Sequence, residues 1–176
     1  MILASASPRR RRLLEEAGIQ FLVHPADIEE VAEGEPHEVA ASNARRKAEA
    51  VEGDLVLGAD TVVALGDALL GKPRDAAEAR SMLARLSGTT HRVITGVALR
   101  GARTLVRTVE TAVTMRELTK AEIDAYVASG EGLGKAGAYA IQESADRFVT
   151  RLRGPYDNVV GLPVETVRAL LEELRS

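Results

Sequence analysis

Apolar residues along the chain follow two patterns, and each pattern predicts a different kind of element. Short, nearly continuous apolar runs predict strands at 2–4, 20–24, 55–65, 92–99, 104–115, 138–142 and 147–152. Apolar residues that recur every three or four positions predict helices at 8–17, 38–51, 75–86, 119–129 and 163–174. Strands and helices that alternate in this way are typical of an α/β protein.

The first predicted helix begins with a clear start signal that leads into a run of cations. Ser7 can cap the helix, and Pro8 suits its first position. Four arginines follow at 9–12, although a helix N-terminus carries a positive partial charge and favours acidic side chains. Such a run is typical either of a solvated face or of a helix start that binds an anion, and the helix alone does not decide between them.

The neighbours of the four arginines divide the run into two pairs. Arg11 and Arg12 lie three or four residues before Glu15 and Glu16, which is the spacing of side-chain ion pairs on a helix. The first two arginines have no such partner in the sequence. With Ser7 and the free N–H groups of the first turn, they would form a pocket for an anion.

The composition of the chain is that of an ordinary globular protein. Its 176 residues suit one domain, or two closely joined lobes, and are enough for a sizeable core. Hydrophobic residues make up 45% and charged residues 28% of the chain, which excludes a fibrous or a disordered protein. The chain has no cysteine, so disulfides, thiolate metal sites and cysteine nucleophiles are excluded.

Charge and hydropathy limit the partners that we expect. The net charge is -3 and aromatic residues are only 3% of the chain, whereas proteins that bind nucleic acid usually carry a basic surface and stacking aromatics. No apolar stretch approaches the ~18 residues of a membrane span, and no apolar leader precedes the arginines. We therefore expect a cytoplasmic protein that binds neither nucleic acid nor membrane and that handles anions only locally.

Asp60 is the most unusual residue in the pattern, because it interrupts the apolar run predicted as a long strand. Apolar residues lie before it at 55–57 and after it at 62–65, so an unpaired carboxylate here would be costly to desolvate. Three explanations stay open: a hydrogen bond to a neighbouring loop, a strand that ends sooner than the pattern indicates, or an active-site carboxylate. Thr61, the next residue, would point to the opposite face of the strand.

Two polar residues, Asn43 and Lys47, lie within the apolar stripe of the helix at 38–51. For Lys47 the simplest interpretation is that its methylenes pack against the core while its ammonium group reaches water. Lys72 lies at a turn after a strand, and Glu30 lies in an acidic loop. These two positions suit a phosphate contact and a divalent cation, but they also suit ordinary exposed loops.

Together these features suit one kind of chemistry, the hydrolysis of a phosphoanhydride. Arginines at a helix start and two lysines can neutralise phosphate charge, and two carboxylate sites can hold a metal ion or orient water. The three histidines lack the paired spacing of a zinc site. Pattern and spacing do not show that these residues converge on one site.

Several segments, taken in order, resemble the Maf family of nucleoside triphosphate pyrophosphatases over essentially the full length of the chain. They are ASASPRRRRLL, DIEE, ARRKAEAV, LGADTVV, GKPRDAAEARSMLARLSGTTHRVITGVAL, GKAGAYAIQ and NVVGLP. The resemblance implies a single domain over 1–176 with a two-lobed α/β fold. An extended curved mixed sheet flanked by helices is expected, similar to inosine triphosphate pyrophosphatases, with the substrate in the cleft between the lobes.

The same resemblance implies an activity, the hydrolysis of a nucleoside triphosphate to the monophosphate and pyrophosphate with Mg²⁺ or Mn²⁺. The segment AGAYAIQ resembles the branch that acts on dTTP and UTP, since the branch that prefers methylated guanine nucleotides lacks it. A homodimer is expected on the same ground. The alternative is a nucleotide-binding regulator of septum formation that binds the substrate without significant turnover.

Residue by residue, the resemblance implies roles for nine side chains. Asp60 matches the proton acceptor, Glu30 matches a second acidic residue, and Lys47 and Lys72 match lysines that contact phosphate. The substrate-binding residues that it implies are Ser7, Arg9 and Arg10 at the helix start, and Thr61 and Gln142, which with Arg9 match positions tied to base specificity. We expect Asp60 and Glu30 to hold the metal ion near the α and β phosphates while Asp60 activates the attacking water.

Overall fold

The computed structural model describes all residues from Met1 to Ser176. The strands are β1 Ile2–Leu3, β2 Leu22–Val23, β3 Val56–Leu65, β4 Ala68–Leu70, β5 Thr90–Arg100, β6 Thr104–Met115 and β7 Val149–Arg153. The α-helices are α1 Pro8–Glu16, α2 Pro36–Ala50, α3 Ala76–Leu86, α4 Lys120–Ser129, α5 Tyr156–Val160 and α6 Val164–Arg175, and two short 3-10 helices cover Ala136–Ala138 and Ser144–Phe148. None of the helices combines the length and the apolar character that a membrane crossing requires.

All seven strands form one mixed sheet. Their spatial order is β2-β1-β3-β5-β6-β7, and β4 pairs with the C-terminal part of β3. β1 runs parallel to β2 and β3, whereas every other pair is antiparallel. The pairing of β3 with β5 places Asp60 opposite Gly96 in the middle of the sheet. A mixed sheet flanked by helices confirms the α/β class predicted from the pattern.

Helix α2 packs directly on the sheet because two glycines leave room for its backbone. A Cβ atom at Gly58 would lie 2.1 Å from the carbonyl oxygen of Ala44, and one at Gly96 would lie 2.1 Å from that of Ala40. Any larger residue at these positions would push the helix away from β3 and β5, since protein interiors have no spare space of this size. The close approach brings the polar residues of α2 onto the middle of β3.

The apolar core contains two large clusters of buried side chains, and different helices pack into each of them. One cluster contains Tyr126 of α4 and Phe148, together with buried residues of α3 and β3. The rings of Tyr126 and Phe148 meet edge to face. The other cluster packs Leu14 of α1 and Leu170 of α6 against the strands β1, β3 and β5. The division of the chain into two lobes stays a prediction.

The segment 138–142, predicted as a strand, is not one. It begins at the last residue of the 3-10 helix Ala136–Ala138. Gly137 and Ala138 of that helix have φ angles of 70° and 59°. Strand residues need negative φ, so the chain cannot enter the sheet here. The apolar character of Tyr139 and Ile141 arises because both pack into the core cluster around α4.

Two predictions about the helices also need correction. The pattern misses α5, because five residues make barely more than one helical turn and show no periodicity. Of the two ion pairs expected on α1, only Arg12 with Glu16 forms, at 2.7 Å, and Arg11 has no ion pair. The side chain of Arg11 therefore lies in solvent without the expected partner.

Candidate active site

A cleft of about 490 Å³ brings together all nine residues to which the sequence assigned a role. They are Ser7, Arg9, Arg10, Glu30, Lys47, Asp60, Thr61, Lys72 and Gln142. These residues come from the start of α1, the loop before α2, α2 itself, β3, the turn after β4 and the loop after α4. The convergence that the sequence could not show is therefore present, while the role of each residue stays a proposal.

Asp60 lies within β3 rather than at its end, and it is only 6% exposed. Its Oδ1 accepts a hydrogen bond from Nζ of Lys47 at 2.7 Å, and its Oδ2 accepts one from Nδ2 of Asn43 at 3.0 Å. Because β3 continues for five residues after Asp60, the explanation of a strand that ends early is wrong. Both donors come from α2, so the explanation of a hydrogen bond to a neighbouring loop is wrong as well. The carboxylate is held in one orientation by the helix that packs over it.

Lys47 does not reach water. Its ammonium nitrogen lies 2.7 Å from Oδ1 of Asp60 and 2.6 Å from Oε1 of Glu30, and the residue is 8% exposed. The interpretation of an ammonium group extended into solvent is therefore wrong. A buried cation shared by two carboxylates satisfies both of them without a ligand.

Glu30 lies in the loop before α2 and is held by two lysines. Besides Lys47, Nζ of Lys72 lies 3.1 Å from Oε2 of Glu30. Partial burial raises the pKa of Glu30, but the hydrogen bonds and charges of the two lysines outweigh it and bring that pKa to about 2. Glu30 is therefore ionised at neutral pH.

Arg10 points into the protein from the first turn of α1. Its Nε donates to the carbonyl oxygen of Gly161 at 2.8 Å, and Nη1 donates to Oγ of Ser5 at 3.0 Å. Nη2 donates to Oγ1 of Thr61 at 3.2 Å. Burial lowers the pKa of Arg10, and the charge of Asp60 acts in the opposite direction. A guanidinium has five N–H groups, and three of them hold α1 against the segment after β1, β3 and the residue after α5.

Arg9 differs from its neighbour because its half-buried side chain makes no hydrogen bond or ion pair with the protein. Ser7 caps the helix, and its Oγ accepts the backbone N–H of Arg10 at 3.5 Å. No acidic side chain lies in the first turn of α1. Arg9 and the remaining N–H groups of that turn are thus available to an anion in the cleft.

The cleft also has a substantial apolar lining. Its apolar lining residues include Val63, Val93, Leu133, Ala136, Tyr139, Ala140, Ile141, Val159 and Val160. Gln142 is exposed and lines the same cleft, on the loop that was predicted as a strand. An apolar wall with one amide side chain suits a planar group that also needs hydrogen bonds.

Among the polar residues of the site, Asn43 and Lys135 have no role in the sequence-based assignment. Asn43 bonds Asp60, and its signal in the sequence is a polar residue inside the apolar stripe of α2. Lys135 lines the cleft and pairs with Glu143 at 2.8 Å. Its only signal is its charge, within a glycine-rich loop that offers no periodic pattern.

The two carboxylates of the cleft, Asp60 and Glu30, meet on the same ammonium group of Lys47. No cluster of three or more acidic or histidine side chains is present that could bind a metal ion by itself. Mg²⁺ is usually held by one or two protein carboxylates together with substrate phosphates and water. The donors present therefore fit a cation that binds together with a phosphorylated substrate.

Comparison with known proteins identifies the family. The family described as "Maf-like protein" matches residues 1–174. The chain belongs to the Maf-like family. This match covers every element that contributes to the cleft and confirms the resemblance carried by the sequence motifs.

Curated Maf-like relatives are similar over nearly their whole length. A protein from Anaeromyxobacter dehalogenans (strain 2CP-1) is 52% identical over 97% of this chain and 92% of its own. One from Myxococcus xanthus is 52% identical over 98% and 91%, and one from Bacillus cytotoxicus is 47% identical over 99% and 95%. Each of the three is named dTTP/UTP pyrophosphatase.

Among solved structures, a nucleoside-triphosphatase / dITP/XTP pyrophosphatase from Mycobacterium abscessus aligns with 99% of this chain and 95% of its own. Its TM-score is 0.46 and its sequence identity is 19%.

Proposed function

We propose that this protein hydrolyses dTTP and UTP to the nucleoside monophosphate and pyrophosphate. The observation that carries the proposal is the meeting of Arg9, Lys47 and Lys72 with the carboxylates of Asp60 and Glu30 in one cleft. Such a set neutralises a triphosphate and keeps carboxylates close to its anhydride bonds. The activity for which the curated relatives are named supports the choice of substrate.

The triphosphate binds at the start of α1. Ser7, the free N–H groups of the first turn and the unpaired Arg9 face the cleft there, and helix N-termini bind phosphate well. Lys72, whose side chain is 58% exposed, can turn from Glu30 toward a phosphate. A polyanion among these groups offsets the repulsion between the arginines and the positive end of the helix dipole.

The base binds against the apolar residues that line the cleft. The amide of Gln142 can both donate and accept a hydrogen bond, as the edges of uracil and thymine require. Val63, Val93 and Ile141 offer apolar surface for the faces of the ring. The hydroxyl group of Thr61 is already bonded to Arg10 and Thr95, so it contributes to specificity by fixing Arg10 or through its methyl group.

Asp60 accepts the proton of the attacking water, and Lys47 stabilises the negative charge that develops on the phosphate oxygens. Arg9 and Lys72 hold the pyrophosphate as it leaves. A divalent cation held by Asp60 and Glu30 together with the phosphates, Mg²⁺ or Mn²⁺, supplies charge neutralisation and makes the water more acidic. Asp60 needs that help, because an ordinary carboxylate is too weak a base to deprotonate bulk water.

A screen of canonical and modified nucleotides tests the substrate class. Each nucleotide is incubated with the protein, Mn²⁺ or Mg²⁺ and inorganic pyrophosphatase, and released phosphate is measured. We expect phosphate from dTTP and UTP, with the monophosphate as the second product, and little from GTP or methylated GTP. Omission of the added pyrophosphatase should abolish the phosphate signal, since the product is pyrophosphate. Release from guanine nucleotides alone would contradict the proposal.

Two further expectations stay predictions, the first from the resemblance and the second from the composition of the chain. One is a homodimer, which size-exclusion chromatography with light scattering measures directly. The other is the absence of nucleic acid among the partners, consistent with a net charge of -3. The alternative of a regulator that binds nucleotide without turnover would give binding but no products in the screen.

A further inference from the structure

The loop before α2, residues 25–34, carries Glu30 and is held almost entirely by side chains of other elements. None of its residues makes a backbone–backbone hydrogen bond. Glu30 is bonded to Lys47 and Lys72, and the backbone of Val31 is bonded to Asn43. The position of Glu30 therefore depends on a small number of contacts, three of which involve α2.

Asn43 makes three hydrogen bonds and is 1% exposed. Its Oδ1 accepts the backbone N–H of Val31 at 2.8 Å, and its Nδ2 donates to the carbonyl oxygen of Val31 at 2.9 Å. The same Nδ2 donates to Oδ2 of Asp60 at 3.0 Å. One side chain thus joins the loop before α2 to the carboxylate on β3.

Only an amide in one orientation can make this set of contacts. A flipped amide would place its NH₂ group against the N–H of Val31 and its oxygen against the carboxylate of Asp60, and both contacts would be repulsive. The backbone N–H and the carbonyl of one residue, Val31, thus fix the orientation of Asn43. That orientation in turn directs the remaining N–H of Asn43 toward Asp60.

Lys47 repeats the arrangement one helical turn later on the same face of α2. It joins Asp60 to Glu30, as Asn43 joins Asp60 to Val31. Residues four apart on a helix lie one above the other, so two parallel bridges link the loop to β3. Lys47 holds the carboxylate of Glu30, and Asn43 holds the backbone directly beside it.

We propose that Asn43 is a positioning residue, which ties the loop before α2 to Asp60 and so sets the distance between the two carboxylates before the nucleotide binds. This inference rests on the proposed function only for its kinetic consequence. Without Asn43, Oδ2 of Asp60 loses a donor and the backbone of Val31 loses both of its partners. Glu30 then keeps its charge and its bonds to Lys47 and Lys72, but the backbone beside it is no longer fixed relative to Asp60.

Hydrogen exchange of the ligand-free protein tests the structural half of the proposal. Asn43→Leu keeps the branched heavy-atom shape of the side chain and removes every hydrogen bond, and Asn43→Ser introduces a hydroxyl group that is too short to span the gap. In both variants we expect the amide of Val31 to exchange about tenfold faster or more. The control is Val39→Ala, which truncates a buried residue on the same helix, 3% exposed, and touches none of these bonds. Exchange of Val31 at the wild-type rate in both Asn43 variants would overturn the proposal.

Steady-state kinetics test the functional half. We expect both Asn43 variants to lower kcat for dTTP by about 10- to 100-fold, as is usual when a residue that orients a reactive group is lost. KM should stay within about threefold, because the helix start that binds the triphosphate is intact. If Asn43 had only a structural role, its variants would lose activity in step with the melting temperature, as we expect for Val39→Ala. That result would overturn the proposal. Wild-type protein inactive on dTTP and UTP would contradict the proposed function, whereas the exchange result needs no turnover.

Discussion

The ammonium nitrogen of Lys47 lies 2.7 Å from Oδ1 of Asp60, and the two side chains are 10% and 9% exposed. The same nitrogen lies 2.6 Å from Glu30, so one cation serves two carboxylates. Buried ion pairs contribute little to stability compared with apolar residues of the same size. A function explains the presence of a buried ion pair better than stability does. Here Lys47 and Asp60 line the cleft together with the start of α1.

Replacing Lys47 by methionine should abolish most of the activity and also weaken the fold. Asp60 then stays buried without its cation and Glu30 keeps only Lys72, which costs roughly 3–5 kcal/mol of unfolding free energy. We expect kcat for dTTP to fall at least about 100-fold. The control, Lys120→Met, removes a lysine that is 92% exposed and pairs with Asp124, and it should behave as wild type. Urea unfolding and initial rates measure both effects, and a Lys47→Met protein with normal kcat would refute this role.

Arg9 and Arg10 should respond differently to replacement by alanine. Arg9 has no partner in the protein, so Arg9→Ala should raise KM for the nucleotide about tenfold or more and leave the melting temperature unchanged. Arg10→Ala removes the donor of the Gly161 carbonyl and should lower the unfolding free energy by about 1–3 kcal/mol. Thermal melts and KM values of the two variants distinguish the cases. Equal effects of both substitutions would show that the two arginines do not have separate roles.

His91 should make the protein less stable in mild acid. Burial lowers the pKa of His91 to about 4, its Nε2 bonds the hydroxyl of Tyr139 at 2.8 Å, and its Nδ1 has no partner. The unfolded chain takes up a proton near pH 6.5. The contribution of His91 to the unfolding free energy is therefore fully present above that pH. This contribution is lost as pH falls from about 6.5 to 4, and the loss is on the order of 3 kcal/mol.

A comparison of wild type with His91→Gln isolates this contribution. Glutamine can still bond the hydroxyl of Tyr139, but it does not titrate. Urea unfolding at pH 7 and at pH 4 should show a larger loss of unfolding free energy in the wild type than in the variant. Equal losses in the two proteins would mean that His91 is protonated in the folded state as easily as in the unfolded state.

Gly58→Ala should destabilise the protein because α2 lies directly on that glycine. The new methyl group would meet the backbone of Ala44 and Ala48, and such overpacking typically costs about 1–3 kcal/mol. Gly71→Ala is the matched control, since its new methyl group would meet nothing within 4 Å. Urea unfolding of both variants measures the difference. A Gly58→Ala protein as stable as the Gly71→Ala protein would contradict the close packing of α2 on β3.

The long elements could be predicted from the sequence because their apolar periodicity extends over two or more turns or over many strand residues. The segment 138–142 could not, since a buried loop and a strand are equally apolar and only the backbone angles at Gly137 and Ala138 separate them. The pattern missed α5 for a related reason, because five residues are too few to show a period.

Within the site, the sequence indicated residue types but not their partners. Asp60 and Lys47 were visible as polar residues in apolar surroundings, yet their contact depends on the packing of α2 on two glycines. Arg9 and Arg10 are identical in type and adjacent in sequence. One guanidinium is free of protein partners, and the other makes three hydrogen bonds with the protein. This difference follows from the rotation of about 100° between successive helical residues, together with the position of Gly161 far along the chain.

The most direct test of the account is the turnover of dTTP by Asp60→Asn with saturating Mn²⁺. The substitution keeps the shape of the side chain and one of its two acceptor contacts with α2, since its NH₂ group must face either Lys47 or Asn43, and it removes the group that accepts a proton. We expect kcat to fall by about 10²- to 10⁴-fold, with nucleotide binding retained in isothermal titration. A variant that releases pyrophosphate from dTTP at the wild-type rate would contradict the central role of Asp60.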